Sequence, residues 1–147
     1  MEARRPSTVS TAGRGWGCSM FFTWHKVADP TVGWLASKTT GWTADSFSGG
    51  LEVDFSAVVP VGTKAVRVAI RSDTTSGYWY WRKSGDSNIS NTPNASSEYS
   101  HGIAHPTAGA AKQEQYVIWL SSAYKADFAV TDTGTDLYIA YPVEWLG

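Results

Sequence analysis

Three residues of the 147-residue sequence have a spacing that could bind a metal ion. Glu98, His101 and His105 follow the pattern Glu-x-x-His-x-x-x-His, which on a helix would place zinc ligands on one face. Gly102 lies inside the pattern and Pro106 follows it, and both residue types disfavour a helix. The sequence therefore predicts a polar loop with two histidines, no bound metal and no cofactor.

A second group of residues resembles a fragment of a calcium-binding loop. Asp132, Gly134 and Asp136 offer oxygen ligands at alternate positions, but a complete loop needs about six or more oxygens, and none follow in register. The same letters, Thr-Asp-Thr-Gly-Thr-Asp at 131–136, are typical of a hairpin turn. We expect the turn.

The residues that nucleophilic catalysis needs do not occur in a recognisable pattern. Cys18 is the only cysteine and lies in a glycine-rich stretch, so no intramolecular disulfide can form. The sequence has no Gly-x-Ser-x-Gly elbow and no phosphate-binding loop. Two of its 13 acidic residues could still meet in the fold as a catalytic pair, but that number is ordinary. We expect a protein without catalytic residues, not an enzyme.

The aromatic run Tyr78-Trp79-Tyr80-Trp81, followed by Arg82, predicts a strand that is aromatic on both faces. Successive side chains of a strand point to opposite faces. One aromatic pair is therefore exposed, where it could stack on sugar rings beside Arg82, or both pairs are covered. The cover would be the N-terminal tryptophans or a neighbouring subunit, since aromatic residues are enriched at interfaces. We favour burial, within the subunit or between subunits.

A central strand follows the turn that Pro60 and Gly62 predict. There Val66, Val68 and Ile70 alternate with polar or small residues, the period of a strand with one buried face. The same alternation predicts strands at 51–55, 64–71, 78–82, 115–120, 128–130 and 137–141. The residues predicted to be buried in the core are Val66, Val68, Ile70, Ile118, Leu120 and Ile139. Short strands separated by turns, with no amphipathic helix, indicate an all-β fold, an antiparallel, jelly-roll-like β-sandwich.

The segments outside these strands divide the chain. Residues 1–20 lack periodicity and predict an irregular N-terminal arm, while 21–147 predict a single β-sandwich domain. Residues 25–50 are expected to lie over the sheet as an irregular segment with one short strand. Residues 84–112 predict a long loop.

The charge distribution limits the partners. A net charge of −1 provides no basic field for nucleic acid. No apolar run approaches the ~20 residues of a membrane span, and the N-terminus has no apolar segment of a secretory signal peptide. We therefore expect neither a nucleic-acid nor a membrane partner. The basic start and the acidic end of the chain are either both solvated or in contact with each other, in the same or in a neighbouring subunit.

The stretch Leu51 to Ile70, Leu-Glu-Val-Asp-Phe-Ser-Ala-Val-Val-Pro-Val-Gly-Thr-Lys-Ala-Val-Arg-Val-Ala-Ile, resembles a pattern of bacteriophage virion β-sandwich domains. The ending Thr-Gly-Thr followed by Leu137-Tyr-Ile-Ala-Tyr141 is similar to the way such domains close. The resemblance implies a virion structural protein of the capsid decoration, head-fibre or tail-associated type, assembled in the host cytoplasm. It also implies a homo-oligomer, preferably a trimer, that contacts major capsid or tail proteins. The alternative is a carbohydrate-binding module or receptor-binding tip that recognises a host-surface glycan.

Assembly is also expected because the chain has eight tryptophans, several of them in the aperiodic N-terminal part. A monomer of this size has difficulty burying them all, and exposed apolar patches mark interaction sites. The candidate assembly residues are Arg4, Arg5, Arg14, Trp16, Phe21, Phe22 and Trp24. The candidate ligand or interface aromatics are Tyr78, Trp79, Tyr80 and Trp81, with Arg82 beside them.

Overall fold

The computed structural model describes residues 21–73, 78–86, 101–104 and 112–147. These residues form ten strands and no helix. The strands are β1 (Trp24–Lys26), β2 (Trp34–Lys38), β3 (Leu51–Asp54), β4 (Ala65–Asp73), β5 (Trp79–Lys83), β6 (His101–Ala104), β7 (Lys112–Trp119), β8 (Lys125–Val130), β9 (Asp136–Ala140) and β10 (Glu144–Leu146).

The predicted central strand, β4, organises the first sheet. One of its edges pairs with β7 along nearly its whole length, and the other pairs with β10 and then with β9. Because β9 and β10 follow one another along β4, they act as two halves of one C-terminal strand. In the same way, β1 pairs with β10 and β2 pairs with β9, so β1 and β2 form one composite strand at the edge of the sheet.

The second sheet has the order β3-β8-β5-β6, and every pairing in both sheets is antiparallel. Joining β1 with β2 and β9 with β10 reduces the ten strands to eight positions. Numbered along the chain, these positions have the order 1-8-3-6 in the first sheet and 2-7-4-5 in the second. This is the double-sheet jelly-roll arrangement, and the predicted fold class is confirmed.

The core lies between the sheets. All six residues predicted to be buried are buried, with exposed fractions of 5% or less. Trp79 of β5 contacts Tyr116 edge-on at 4.9 Å and Phe128 at 6.0 Å, measured between ring centroids. Arg67 lies between the buried Val66 and Val68 and is only half-buried, so the predicted register of β4 is confirmed.

The turn before β4 also has the predicted form. Gly62 has a φ of +94°, a left-handed conformation that glycine adopts without a Cβ penalty. The Thr63 N–H donates to the Pro60 carbonyl at 3.3 Å, and the Thr63 hydroxyl donates to the same oxygen at 2.7 Å. This turn fixes the point at which the chain enters the core strand.

The expectation for residues 25–50 is wrong in one respect. The first part of this segment does not lie over a sheet but extends one, as strands β1 and β2. Asp29, Pro30 and Gly33 interrupt it, so neither strand is long enough to show a period in the sequence. The second part does cover a sheet. Phe47 packs on Tyr80 and on Ala129, at the outer face of the second sheet.

Two further expectations need correction. The predicted loop 84–112 contains strand β6, which pairs with β5. The turn at 131–136 is tight, because Asp132 accepts the Thr135 N–H at 3.1 Å and, through Oδ1, the Gly134 N–H at 2.9 Å. It is not a hairpin, however, since it joins β8 of the second sheet to β9 of the first.

The sequence predicted neither β6 nor β10, both of which are short. Glu98, His105 and the side chain of His101 lie outside the described residues, and so does the arm 1–20. The boundary near residue 20 therefore stays a prediction. Among the described residues there is no helix long and apolar enough to cross a bilayer.

Candidate assembly surface

The outer face of the first sheet carries five large side chains from β1, β2, β4 and β9 that the strand register brings to the same side. Trp119 of the edge strand β7, opposite Ala65, lies on this outer face as well. Trp34 is opposite Ala140, which shares its face with Tyr138, and Tyr138 is opposite Arg71. Arg67 is opposite Glu144, and Glu144 is opposite Lys26. Trp24 is two residues before Lys26 in β1 and therefore shares the face of Arg67. Residues that are opposite in antiparallel strands, or two apart in one strand, share a face. We call this set the aromatic–arginine face: Trp24, Trp34, Arg67, Arg71 and Tyr138.

At one end of this face, Arg67 lies beside Trp24. The Arg67 guanidinium carbon is 5.0 Å from the centroid of the Trp24 ring, within the range of a cation–π interaction. Arg67 Nε also donates to Glu144 Oε1 at 3.3 Å. This pair orients the guanidinium, while the Trp24 side chain remains 36% exposed.

A second stack occupies the other end. The rings of Trp34 and Tyr138 have centroids 5.4 Å apart, and the Arg71 guanidinium carbon is 5.6 Å from the Tyr138 centroid. Arg71 Nη2 lies 3.5 Å from Asp73 Oδ2. Trp34 is 40% exposed, so this stack again presents an indole to the outside.

The exposed apolar surface continues toward the N-terminus. Thr23 exchanges two backbone hydrogen bonds with Gly147, at 3.2 and 3.1 Å, and so extends the pairing of β1 by one residue. Before it, Phe21 is 84% exposed and Phe22 is 43% exposed. The predicted arm thus joins the domain beside the aromatic–arginine face.

Exposed apolar side chains are concentrated in this region. Of seven large hydrophobic side chains exposed in the described part of the chain, five belong to residues 21–34. The other two are Val61 and Trp119, and the edge of the second sheet at β3 is charged. Lys125 Nζ of β8 lies 3.0 Å from Glu52 Oε1 and 3.9 Å from Asp54 Oδ2 of the edge strand β3. Charged side chains of this kind protect a sheet edge from association.

Glu52 illustrates the electrostatics of that charged edge. A hydrogen bond from the Ser84 hydroxyl, at 2.7 Å, and then one from Lys125 lower the pKa of the Glu52 carboxyl. The hydrogen bond to Glu52 in turn raises the pKa of Lys125. Both groups therefore stay charged at neutral pH, in contrast to the aromatic edge formed by β1 and β2.

The predicted aromatic strand is buried within the chain. Trp79 and Trp81 face the core between the sheets, and Tyr80 lies under Phe47, with all three at most 5% exposed. Sugar stacking on these three residues is therefore wrong, because residues 39–50 fold over the face that would have been free. Tyr78 is half-buried.

Arg82 is the last residue of the predicted aromatic strand, and its guanidinium is paired with a carboxylate. Its Nε donates to Asp127 Oδ2 at 3.0 Å, and both side chains are nearly buried. The guanidinium also lies 4.5 Å from the centroid of the Phe47 ring. Two of the C-terminal acidic residues, Asp127 and Glu144, thus already have arginine partners within the domain.

The remaining candidate residues are Arg4, Arg5, Arg14 and Trp16, which lie outside the described residues. Their role in assembly stays a prediction, and so does contact between the arm and the acidic end of the chain. Within the described ranges, no group of three or more His, Cys, Asp or Glu side chains could hold a metal ion.

Sequence reasoning missed Trp34, Tyr138 and Arg71 as members of the surface. The alternation of Leu137 and Ile139 already placed Tyr138 on the outer side of its strand. Trp34 offered no such signal, because its face is set by pairing with Ala140, more than a hundred positions away.

Comparisons with known proteins give little to add. No protein-family model matches the sequence, and no curated protein matches it. Several solved structures are similar to it, and two of them are structures of one viral coat protein. The tobacco streak virus coat protein in its C2 crystal form has 12% identity and a TM-score of 0.39, over 85% of this chain and 83% of that chain. The tobacco streak virus coat protein dimer has 11% identity and a TM-score of 0.37, over 83% of this chain and 86% of that chain. At these TM-scores the likeness carries no argument about function.

Proposed function

We propose that this chain is a non-enzymatic structural component of a bacteriophage virion, a capsid decoration, head-fibre or tail-associated protein that acts through subunit assembly and surface display. The observation that carries the proposal is the aromatic–arginine face. Tryptophan, tyrosine and arginine are the residues most enriched at the energetic centres of protein interfaces. Here they stand on a rigid sheet, with Trp24 and Trp34 partly exposed.

The geometry favours a preformed interface. Arg67 and Arg71 are each held by a carboxylate and an aromatic ring, so few rotamers are lost when a partner docks. Water would leave the indole faces on docking, which supplies the favourable term. The edge beside this face is formed by the short strands β1 and β2, whose outer backbone groups can also pair with a partner.

The fold and the family resemblance support a virion role. Jelly rolls occur in viral capsid domains, although lectin domains share the architecture. Two segments resemble phage virion domains: 51–70, which forms β3, the turn and most of the central strand β4, and 137–141, which forms most of β9. They are thus folding determinants of this sandwich.

In this proposal the chain forms a homo-oligomer, for which the resemblance favours a trimer, and contacts a major capsid or tail protein. The arm 1–20 docks on a neighbour, where Arg4, Arg5 and Arg14 favour an acidic patch and Trp16 supplies an apolar anchor. The site of action is the virion.

A decoration assay tests the proposal. Particles of the encoding phage, prepared without this protein, are incubated with the full chain or with a version that starts at Met20. The full chain is expected to bind in a fixed copy number per particle, and the shortened chain is expected to bind at least tenfold more weakly. Failure of the full chain to bind these particles, together with its absence from wild-type particles by mass spectrometry, would contradict the proposal.

A further inference from the structure

One end of the sandwich contains a cleft of about 290 Å³ between the β3–β4 connection, the β7–β8 turn and the end of β5. The polar side chains that line it are all either cationic or hydroxyl-bearing. The side chains concerned are Thr63, Lys64, Lys83, Ser121, Ser122 and Tyr124. No carboxylate is among the described residues that line it. We call this the lysine–hydroxyl cleft.

Both lysines of the cleft are exposed and make no ion pair with the described residues. In this they differ from Lys125, which is paired with Glu52. Two ammonium groups that border one cleft without a counter-charge favour an anion between them. Within this cleft no described carboxylate offsets their attraction for an anion, whereas Asp86 lines the adjoining cleft that Lys83 also borders.

Two hydroxyls of the cleft, those of Ser121 and Tyr124, accept hydrogen bonds from backbone N–H groups. The Tyr124 hydroxyl accepts the Gly62 N–H at 3.1 Å, and the Ser121 hydroxyl accepts the Lys125 N–H at 3.1 Å. In each case one lone pair is used, and the hydroxyl hydrogen is not donated to any described residue. A hydroxyl in this arrangement has its hydrogen left to donate to a ligand.

The backbone holds Tyr124 in a conformation that costs energy. Its φ is +63°, which bulky residues rarely adopt. Two backbone hydrogen bonds fix it there, from Tyr124 N–H to the Ser121 carbonyl and from Phe55 N–H to the Tyr124 carbonyl, both at 2.9 Å. Strain maintained in this way occurs preferentially at ligand sites, and here it brings the phenol against Gly62.

An adjoining cleft of about 330 Å³ shares Lys83 and adds an aromatic side chain. It is also lined by Trp81, Asp86 and Trp119, and Trp119 is 41% exposed. An exposed indole offers a flat apolar surface to the C–H groups of a sugar ring, next to charged groups that can bind sugar substituents. The two clefts together thus combine an anion site with a ring platform.

We propose that these two clefts bind an acidic saccharide, with its carboxylate or sulfate between Lys64 and Lys83 and a sugar ring on Trp119. Trp119 lies on the same outer face of the first sheet as Arg67, since it is opposite Ala65, but it belongs to the edge strand β7 on the other side of β4 from Trp24. The proposed site does not depend on the virion role. Two lysines on a chain of net charge −1 provide too few phosphate contacts for nucleic acid, whereas an isolated anionic group on a sugar matches them.

Calorimetric titration of the full chain tests this site. Trigalacturonate is the carboxylated probe, a sulfated trisaccharide is the sulfated probe, and maltotriose is the neutral control. Binding of either acidic probe at least tenfold tighter than maltotriose is expected and identifies the anion, and it should weaken as the salt concentration rises. Equal binding of maltotriose, no binding of either acidic probe at millimolar concentration, or tighter binding of a short single-stranded DNA overturns the proposal.

Variants then locate the site. The double change Lys64→Gln with Lys83→Gln is expected to weaken the acidic probe at least tenfold, whereas Lys26→Gln, an exposed lysine on β1, leaves binding unchanged. Trp119→Ser should weaken the trisaccharide without affecting inorganic sulfate. In the unmodified chain, NMR signals of Ser121, Ser122 and the Trp119 indole should shift with the probe. Binding that survives the double lysine change, or shifts confined to other residues, overturns the assignment.

Discussion

At the scale of single residues, Tyr80 is buried with an unsatisfied polar group. Its ring is 0% exposed beneath Phe47, and its hydroxyl makes no hydrogen bond with the described residues. Oδ1 of Asp45 is also buried without a hydrogen-bond partner among the described residues. The burial of Tyr80, followed by the charge of Asp45, raises the pKa of Tyr80 to about 12. A buried polar group without a partner costs about 1–3 kcal/mol.

Removal of this hydroxyl should therefore not destabilise the fold. Tyr80→Phe is expected to leave the free energy of unfolding unchanged or to raise it by about 1 kcal/mol, as measured by urea denaturation. Trp42→Phe is the contrasting variant, because Trp42 Nε1 donates to the Thr135 carbonyl at 2.7 Å in a buried position. That change should cost about 1–3 kcal/mol. A loss of stability for Tyr80→Phe as large as that for Trp42→Phe would show that the hydroxyl has a partner.

The pKa of Tyr80 also predicts a dependence on pH. Its pKa is about 12 in the folded chain and about 10 when unfolded, so the contribution to stability is complete below pH 10. Between about pH 10 and 12 the unfolded state loses its proton first, and the free energy of unfolding falls as the pH rises. Tyr116, whose pKa burial and Glu114 also raise to about 12, acts in the same direction. In urea denaturation at several pH values, Tyr80→Phe should flatten this fall, and an unchanged pH profile would contradict the assignment.

At the scale of elements, the register of β4 determines which side chains enter the core. Ile70 is 1% exposed and pairs with the buried Ile139, so Ile70→Ala should lower the free energy of unfolding by about 2–5 kcal/mol. Arg67 lies on the outer face, and Arg67→Ala should cost about 1 kcal/mol or less. Thermal denaturation of the two variants checks the register, and the reverse order of their costs would contradict it.

The sequence could predict β4 because its alternation is internal to the strand. The alternation of Val66, Val68 and Ile70 with smaller or polar residues indicates which face of the strand is buried, and the turn at Pro60–Gly62 indicates where the strand begins. Strands β1 and β2 could not be predicted in this way, because each is short and their place in the sheet depends on pairing with residues near the C-terminus. The turn at 131–136 was predictable as a turn, but its residue types do not indicate whether the next strand belongs to the same sheet.

The same limit applies to the candidate site. The apolar residues Phe21, Phe22 and Trp24 could be identified as candidates from composition, since they lie in a segment without a core period. The aromatic–arginine face itself is a product of cross-strand register, which places Arg67 beside Trp24 and Arg71 beside Tyr138. The cleft at Lys64 and Lys83 depends on tertiary contact as well, because the three connections that form it are distant in sequence.

At the scale of the whole molecule, the sandwich is asymmetric in its surfaces. The outer face of the second sheet is covered by Phe47 and carries the Arg82–Asp127 pair, whereas the outer face of the first sheet leaves Trp24 and Trp34 partly exposed. A jelly roll with one such face is suited to association through that face. The proposed assembly therefore requires that the aromatic–arginine face mediates oligomerisation in solution.

Light scattering of purified protein, with molar mass measured across a concentration series, tests this claim most directly. The full chain is expected to form an oligomer of defined mass, and the double variant Trp24→Ser with Trp34→Ser is expected to shift it to the monomer mass. Val61→Ser is the control, since this apolar side chain is also exposed, at 92%, but lies in the turn before β4 and not on the outer face of a sheet, and this variant should remain oligomeric. A full chain that is monomeric at high concentration, or an oligomer that the double variant leaves intact, would contradict the account.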